Sequence, residues 1–285
     1  MKYLVLAAMF APLWAVAADK HPGQTHRPGL RERAKPYLEA AQAAGNAFVS
    51  VSSASGLPNL AADSLATVFG SSLAQTTETG AAPYPTSMGG ISLQVVDKNG
   101  VLRLAQLLYV SPSQINYLIP AGTAPGLTTT NIVDAAGNIL SSTAQIQSVS
   151  PGLFTANGNG QGVVSATAYR LVDLVISAPV IVYQCLDVPG TCLSVPINLG
   201  VDSPVSVTFY TTGLRGRSSD AAVSASIGGQ SVAVRSITSG DDSSVAAGLD
   251  AILVGLPLSL RGSGEVDVVI SVDGTSSNHG TINIQ

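Results

Sequence analysis

The feature that most constrains this chain is that one arrangement of short segments occurs in it twice. The stretch 203–214, followed by a Gly-Gly pair, has a counterpart upstream. Asp202 maps to Asp63 and Gly228 maps to Gly89, each at a separation of 139 positions (202 − 63 and 228 − 89). Two landmarks at one separation indicate an internal duplication. The chain is therefore predicted to hold two copies of one folding unit, each long enough to bury a core.

Each copy has the pattern of short strands separated by turns. Residues 91–95 alternate apolar and polar side chains, as a half-buried strand does. The turn 97–100 ends in Asn-Gly, the strongest short hairpin signal, and residues 103–110 are predicted as the returning strand. About seven or eight such strands in a copy, with turns every 8–12 residues, predict an immunoglobulin-like β-sandwich. The predicted fold class is all-β, with two tandem sandwiches related by the duplication.

The chain of 285 residues suggests roughly two domains of about 100–150 residues each. The predicted segments are a signal peptide at 1–17, a charged, partly disordered or short helical segment at 18–47, a first sandwich at 48–149 and a second sandwich at 150–285. Charged residues make up only 11% of the chain and the net charge is −4. This balance gives no electrostatic basis for binding DNA, RNA or anionic lipid, so no nucleic-acid partner is predicted.

The first residues have the composition of a secretory signal peptide. Lys2 supplies a positive end, residues 3–16 form an apolar run, and residues 15–17 read Ala-Val-Ala, which matches a cleavage site. The run is shorter than the ~20 residues that a membrane span needs. The mature chain is therefore predicted to begin at Ala18, to have no transmembrane segment, and to be secreted or held at the cell surface. The periplasm is the alternative compartment.

The two cysteines, Cys185 and Cys192, enclose a Pro-Gly turn between two apolar segments. In an oxidising compartment this spacing predicts a disulfide near the turn of a β-hairpin. The alternatives are a redox pair or a metal site, but the spacing is not that of a C-x-x-C motif and no histidine lies nearby. A loop this short is expected to fix the local register more than it stabilises the whole fold.

The segment 18–47 carries a large share of the charged residues. Residues 31–44 predict a short helix that ends at Gly45, with Pro36 either in its first turn or breaking it. His21 and His26 are five positions apart, which misses the spacing that places two metal ligands on one helix face. The two histidines are therefore assigned to a solvated tail, and no metal or other cofactor is predicted.

The sequence predicts no catalytic set of residues. His279 is the only histidine after the charged segment, and there is no Gly-x-Ser-x-Gly elbow. A pair of carboxylates is the remaining enzymatic alternative, because glycosidases need only two. The candidates share the second half of the chain: Asp241, Asp242, Asp250, Glu265 and Asp267. Asp241 and Asp242 are adjacent in a Ser/Gly-rich loop, which predicts solvated acids, with a calcium site as the alternative.

Arg215 and Arg217 follow the repeated strand, with one glycine between them. As a fork, the two guanidinium groups are candidates to bind a carboxylate or a sulfated sugar. The favoured interpretation is that Arg215 pairs with a loop acid such as Asp220 or Asp241, as most surface arginines do. Together with the two acids of the Ser/Gly-rich loop, these arginines are the predicted ligand contacts.

Aromatic side chains that stack on sugars are scarce in this sequence. The only tryptophan, Trp14, lies in the predicted signal peptide. Tyr84, Tyr109, Tyr117 and Tyr210 remain as candidate platforms. This scarcity weakens a carbohydrate-binding interpretation without removing it.

Four segments resemble the signatures of a known family, and they are 111–120, 151–158, 211–218 and 264–274. The family is an uncharacterised immunoglobulin-like β-sandwich family, found as the C-terminal region of secreted acidobacterial (Solibacter-type) proteins and of related soil bacteria. The resemblance covers about residues 48–285. It implies the fold, export and repetition, and it implies no activity.

These observations predict a secreted, non-catalytic structural or adhesive module. Its expected partner is an extracellular protein or glycan at the cell surface, bound through loops or an exposed sheet edge. One alternative is a carbohydrate-active or other hydrolytic enzyme that uses loop carboxylates. A second alternative is a spacer subunit in an extracellular assembly.

Overall fold

The structure is a computed structural model that describes residues 28–172, 175–188, 190–201, 204–240 and 246–285. The predicted signal peptide, the histidine pair of the charged segment, and the acids Asp241 and Asp242 lie outside the described residues.

One α-helix, α1 (Pro28–Ala43), precedes the strands. The helix predicted at 31–44 is therefore present, but it starts earlier and continues through Pro36. The prediction that Pro36 sits in the first turn or breaks the helix is wrong. Leu30 and Ala34 are fully buried on the side of α1 that packs against Val49 and Phe69. Pro36 has no backbone N–H to donate to the preceding turn, and tertiary packing on this side stabilises the helix at that point.

The first half, residues 47–148, forms two facing sheets. Its strands are β1 (Val49–Ser52), β2 (Asn59–Ala61), β3 (Leu65–Phe69), β4 (Glu78–Thr79), β5 (Ser87–Met88), β6 (Ile91–Val96), β7 (Leu102–Leu104), β8 (Gln106–Val110), β9 (Gln114–Leu118), β10 (Gly126–Asp134) and β11 (Ile139–Gln147). One sheet has the order β1-β3-β9-β8-β4, and the other has the order β2-β11-β10-β6-β5 with β7 beside β6. Between them lies one apolar core that includes Val68, Leu93 and Ile115.

The second half, residues 149–285, repeats this plan. Its strands are β12 (Gly152–Leu153), β13 (Ala166–Val172), β14 (Val175–Val180), β15 (Tyr183–Cys185), β16 (Cys192–Ser194), β17 (Val205–Thr212), β18 (Val223–Ile227), β19 (Gln230–Val232), β20 (Val234–Ser239), β21 (Asp250–Gly255), β22 (Gly264–Val272), β23 (Thr275–Ser276) and β24 (Gly280–Ile284). One sheet has the order β14-β13-β17-β21-β20, and the other contains β19-β18-β22 with β24 beside β22. The core between them includes Val207, Phe209 and Ile270.

The strand orders of the two halves correspond. The order β1-β3-β9-β8 matches β13-β17-β21-β20, and β7-β6-β10-β11 matches β19-β18-β22-β24. The expected all-β fold of two duplicated sandwiches is therefore confirmed.

One of the two landmarks at a separation of 139 positions is not structurally equivalent, however. Gly89 precedes the central strand β6, whereas Gly228 follows the corresponding strand β18. Leu93 pairs with β10 as Ala225 pairs with β22, which gives a separation of 225 − 93 = 132 positions for this strand. The equivalence of Gly89 with Gly228 is wrong because the loops between matching strands differ in length, and Asp202 lies outside the described residues.

The segment 103–110 is divided between two sheets. β7 pairs with β6 in one sheet, and β8 pairs with β9 in the other. Ala105, between them, is fully buried where the chain crosses the sandwich. The prediction of one continuous returning strand is wrong, because alternation along a sequence does not reveal a change of sheet.

The two halves contact each other directly through small residues. The Thr212 hydroxyl accepts a hydrogen bond from the Leu65 N–H at 2.9 Å and donates one to the Gly248 carbonyl at 2.6 Å. A Cβ added to Gly248 would lie 2.6 Å from Leu118 Cδ1, and one added to Gly160 would lie 2.6 Å from the Ser55 carbonyl oxygen. The absence of side chains at these glycines lets the two halves approach closely.

Candidate functional site

Arg215 lies beside the buried carboxylate of Asp250. Its Nε is 3.3 Å from Oδ1 of Asp250, and the side chains are 17% and 0% exposed respectively. The Leu214 N–H also donates to this carboxylate, at 3.4 Å. Among the described residues the partner of Arg215 is therefore Asp250 and not Asp220, which pairs with Arg217. The predicted pairing with Asp241 lies outside the described residues and is not tested. Asp250 is 35 residues along the chain and becomes a neighbour through the pairing of β17 with β21.

Burial raises the pKa of Asp250 above its ordinary value. Hydrogen bonds from Ser239, Arg215 and Leu214 act in the opposite direction, together with the charge of the guanidinium, but they do not outweigh desolvation. Asp250 was one of the candidate catalytic acids. Its enclosure makes it an internal structural group, inaccessible to a polymeric substrate.

Arg217 pairs with a different acid. Its Nε lies 2.7 Å from Oδ1 of Asp220, which is 73% exposed and three residues away. The two arginines therefore contact separate carboxylates and do not converge on one point as the predicted fork requires.

Two of the other candidate acids share the exposed face of β22. Glu265 accepts a hydrogen bond from the Ser194 hydroxyl, and Asp267 lies 3.8 Å from Nδ1 of His279. Both side chains of the Asp267–His279 pair are about two-thirds exposed, at 66% and 67%. An acid–base pair needs two carboxyl groups in different environments, and these two share one solvated surface.

The calcium alternative involves Asp241 and Asp242, which lie outside the described residues, so it is not tested. Within the part of the chain that the structure describes, no group of three or more His, Cys, Asp or Glu residues is placed to hold a metal ion.

The disulfide between Cys185 and Cys192 is present, and it joins opposite residues of β15 and β16. The predicted disulfide hairpin is confirmed. We call β15, β16 and their connecting turn, residues 183–194, the stapled hairpin. Its base is held by a hydrogen bond from the Cys192 N–H to Asn157 Oδ1 at 2.6 Å and by the contact of Ser194 with Glu265.

Apolar side chains project into solvent along and beside the stapled hairpin. Their exposed fractions are all substantial: Ile181 66%, Leu186 47%, Val188 62% and Leu193 56%. Large apolar groups that stay exposed together mark surfaces used for association.

Three of the four candidate tyrosine platforms are buried. Tyr109, Tyr117 and Tyr210 are 7%, 1% and 6% exposed. Burial also raises the pKa of Tyr117 to about 12, against hydrogen bonds with Ser50 and Thr130 that lower it. These three cannot stack on a sugar, and only Tyr84 keeps a half-buried ring at the surface.

Tyr169, which is not among the four candidate platforms, is partly exposed on the second half. It lies on β13, on the outer face of its sheet, the face turned away from the core. The corresponding outer face in the first half is covered by α1, which buries Val49, Val51 and Phe69. In the second half Thr167, Tyr169 and Thr208 remain partly accessible. Alternation along β13 with Ala166 and Ala168 pointing inward was the signal that could have identified Tyr169.

Comparisons with known proteins found similarity among solved structures only. No protein-family model and no curated protein match the chain. Among solved structures, the chain is similar to SGBP-B of the mixed-linkage glucan utilization locus of Bacteroides ovatus, in complex with a mixed-linkage heptasaccharide. The identity is 13% and the TM-score 0.33, over 80% of this chain and 43% of that chain. The chain thus spans less than half of that protein, and a similarity this low carries no argument about function.

Proposed function

We propose that this chain is a secreted, non-catalytic adhesive module of two rigidly joined β-sandwiches that contacts protein or glycan at the cell surface. The observation that carries the proposal is the stapled hairpin with its exposed apolar side chains. Folding alone would favour the burial of such groups, since each costs about 1.5–3 kcal/mol to leave in water.

The construction of the hairpin supports a role in binding. The disulfide and the hydrogen bonds to Asn157 and Glu265 hold the apolar side chains in place before any partner arrives. A preorganised surface loses less conformational entropy on association than a mobile loop does. The hairpin therefore presents a contact surface at low entropic cost.

Export is part of the proposal. The apolar N-terminal run and the cleavage pattern support it at the level of sequence. The disulfide is of the kind that persists in oxidising compartments. Within the described residues, no helix is both long and apolar enough to cross a membrane.

We also infer membership of the secreted acidobacterial sandwich family. The support is the set of four signature segments and their extent over nearly all of the predicted mature chain. The inference concerns fold, export and repetition.

The test uses the secreted chain and two variants. Leu186→Ser combined with Val188→Ser removes the apolar tip, while Leu127→Ser removes one apolar side chain of the first half that is 64% exposed. Binding of the labelled proteins to cell-envelope fractions and to a glycan array is measured by retention and by surface plasmon resonance. The tip variant is expected to lose binding and the Leu127→Ser control to keep it.

Two outcomes contradict the proposal. The first is equal retention of both variants. The second is hydrolysis of a glycan by the purified chain that is abolished by Asp267→Asn, since that result assigns the exposed acids of β22 a catalytic role.

A spacer function is the second candidate, favoured by the direct contacts between the halves at Gly160, Thr212 and Gly248. A spacer is expected to keep one inter-half distance in solution. X-ray scattering of the wild type and of Gly248→Val measures this, and a broad distance distribution for the wild type contradicts it.

A further inference from the structure

A row of residues crosses the open outer face of the second half. Gly255 on β21 is opposite Ser206 on β17, and Ser206 is opposite Tyr169 on β13. Opposite residues in an antiparallel sheet present their side chains to the same face. Two strand spacings, about 10 Å, therefore separate the backbone at Gly255 from that at Tyr169.

The exposed side chain of Arg235 lies across Gly255. A Cβ added to this glycine would be 2.5 Å from Nη2, 2.6 Å from Nε and 2.9 Å from Cζ of the arginine. The similar distances mean that the guanidinium rests broadside on the backbone of β21. The absence of a side chain at position 255 creates the space for it. Arg235 reaches this position from the irregular register of β20 between Val234 and Ser236.

The row forms a shallow trough. The guanidinium of Arg235 and the partly exposed ring of Tyr169 flank it, and the row continues beyond Tyr169 to Pro179 on β14. Its floor consists of Gly255 and Ser206, which have small side chains or none. The neighbouring row contributes Thr208 and Leu253, which are also partly accessible.

The charge of this face has one sign. The described outward side chains of β13, β17, β20 and β21 include no carboxylate, and they are Thr167, Tyr169, Ser206, Thr208, Tyr210, Ser236, Thr238, Ala251 and Leu253. Arg235 adds a positive charge to them, although the chain as a whole carries −4. A ligand that complements this face is therefore anionic.

We propose that this trough binds an acidic polysaccharide built from uronate units. The guanidinium of Arg235 would donate hydrogen bonds to a sugar carboxylate. The ring of Tyr169 would cover the apolar face of a neighbouring sugar, and Ser206 between them would bond a hydroxyl group. Within the described residues the site occurs once, because α1 covers the corresponding face of the first half. This inference goes beyond the proposed adhesive function, because the trough lies on a sheet face and is separate from the stapled hairpin.

Polygalacturonate is the probe, and its fully methyl-esterified form is the matched neutral control with the same backbone. Calorimetry and affinity electrophoresis measure binding to the secreted chain. The acidic polymer is expected to bind and the ester is not. About 1 M salt, which shortens the Debye length to about 3 Å, is expected to weaken binding.

Three variants locate the site. Arg235→Gln is expected to weaken binding about tenfold, the effect of losing one charge-assisted hydrogen bond. Tyr169→Ala is expected to weaken it as well. Arg217→Gln removes an arginine that is paired with Asp220 and lies away from the trough, and it is expected to bind as the wild type does. The side chain of Arg235 is exposed, so its replacement keeps the fold, and thermal unfolding verifies this.

Unchanged binding by Arg235→Gln overturns the inference, and so does equal binding of the neutral ester. These outcomes are separable from failure of the proposed function. The tip variant Leu186→Ser/Val188→Ser is expected to keep its affinity for polygalacturonate. If the tip variant loses envelope binding while Arg235→Gln binds polygalacturonate as the wild type does, the adhesive function is retained and only the trough is rejected.

Discussion

Each half of the molecule buries one aspartate beside an arginine, and the two sites differ in what else holds the carboxylate. In the first half Asp97 lies 2.7 Å from Arg103, and its side chain is 1% exposed. In the second half Asp250 lies 3.3 Å from Arg215, and its side chain is 0% exposed. The pKa values of the two acids nevertheless move in opposite directions.

Desolvation alone would raise the pKa of Asp97, yet the pKa falls to about 2. Hydrogen bonds from Arg103 and from the N–H groups of Ala124, Val101 and Asn99 outweigh the desolvation. The two nearest backbone donors belong to the turn that Asp97 itself begins, at 2.9 Å and 3.1 Å. Asp250 has one backbone donor, Leu214, at 3.4 Å, and burial raises its pKa.

The difference teaches that an arginine is not sufficient to offset burial of a carboxylate. Backbone N–H groups in a tight turn are already fixed, so they stabilise an anion without ordering a long side chain. Asp97 has three such donors in addition to Arg103. Asp250 has one in addition to the Ser239 hydroxyl and Arg215, so fewer fixed donors remain at its site when the arginine is removed.

The largest expected effect is that of Arg215→Ala. It leaves Asp250 as a buried carboxylate without its cation, which should cost about 3–5 kcal/mol of unfolding free energy near pH 7. The matched variant Arg103→Ala leaves three backbone donors on Asp97 and should lose less. Urea unfolding measures both. Equal losses would show that the backbone donors do not distinguish the two sites.

The pH dependence of stability should also separate the two acids. Since the pKa of Asp97 is lowered from 3.8 to about 2, its contribution is present above pH 4 and is lost as the pH falls through that window. Since the pKa of Asp250 is raised, its carboxyl group is harder to ionise in the folded chain than in the unfolded chain. The fold therefore loses stability as the pH rises above the ordinary pKa of an aspartate, and it regains stability on acidification.

The measurement is the unfolding free energy between about pH 2 and pH 7 for the wild type, Asp97→Asn and Asp250→Asn. Asp97→Asn should lose less unfolding free energy than the wild type when the pH is lowered. Asp250→Asn should remove the loss that accompanies a rise in pH. Parallel profiles for the two variants contradict opposite pKa shifts.

A smaller loss of stability, equal at the two sites, is expected when a glycine is replaced in either of the two matching hairpin turns. Gly100 follows β6 and Gly229 follows β18, both have φ of +77°, and a Cβ at either would meet nothing within 4 Å. Alanine at each position should cost about 1–2 kcal/mol, the price of a left-handed backbone. Thermal unfolding of Gly100→Ala and Gly229→Ala compares them. A large inequality would mean that the two turns are not equivalent after all.

The smallest effect is expected for Arg217→Ala. Its partner Asp220 is 73% exposed, so the pair should contribute about 0–1 kcal/mol. The same urea series that includes Arg215→Ala measures it. A loss as large as that of Arg215→Ala would contradict the expectation that an exposed carboxylate partner contributes little to stability.

Much of the local structure was predictable, and most of the candidate site was not. The hairpin at 97–100, the disulfide hairpin and the strand at 91–95 were identified from turn residues, cysteine spacing and alternation. The partner of Arg215 and the exposure of Tyr169 were missed. Both depend on residues that are distant in sequence and adjacent only in the sheet.

By itself, the sequence determined which segments are strands, where they turn and which cysteines can join, since a period of two, glycine at positive φ and a short cysteine loop act locally. Only the tertiary structure decided that α1 closes one sheet face while its counterpart stays open with Arg235 and Tyr169 upon it. It also decided that one buried aspartate is easily ionised and the other is not. Burial and cross-strand register, which no local pattern encodes, are the physical reason.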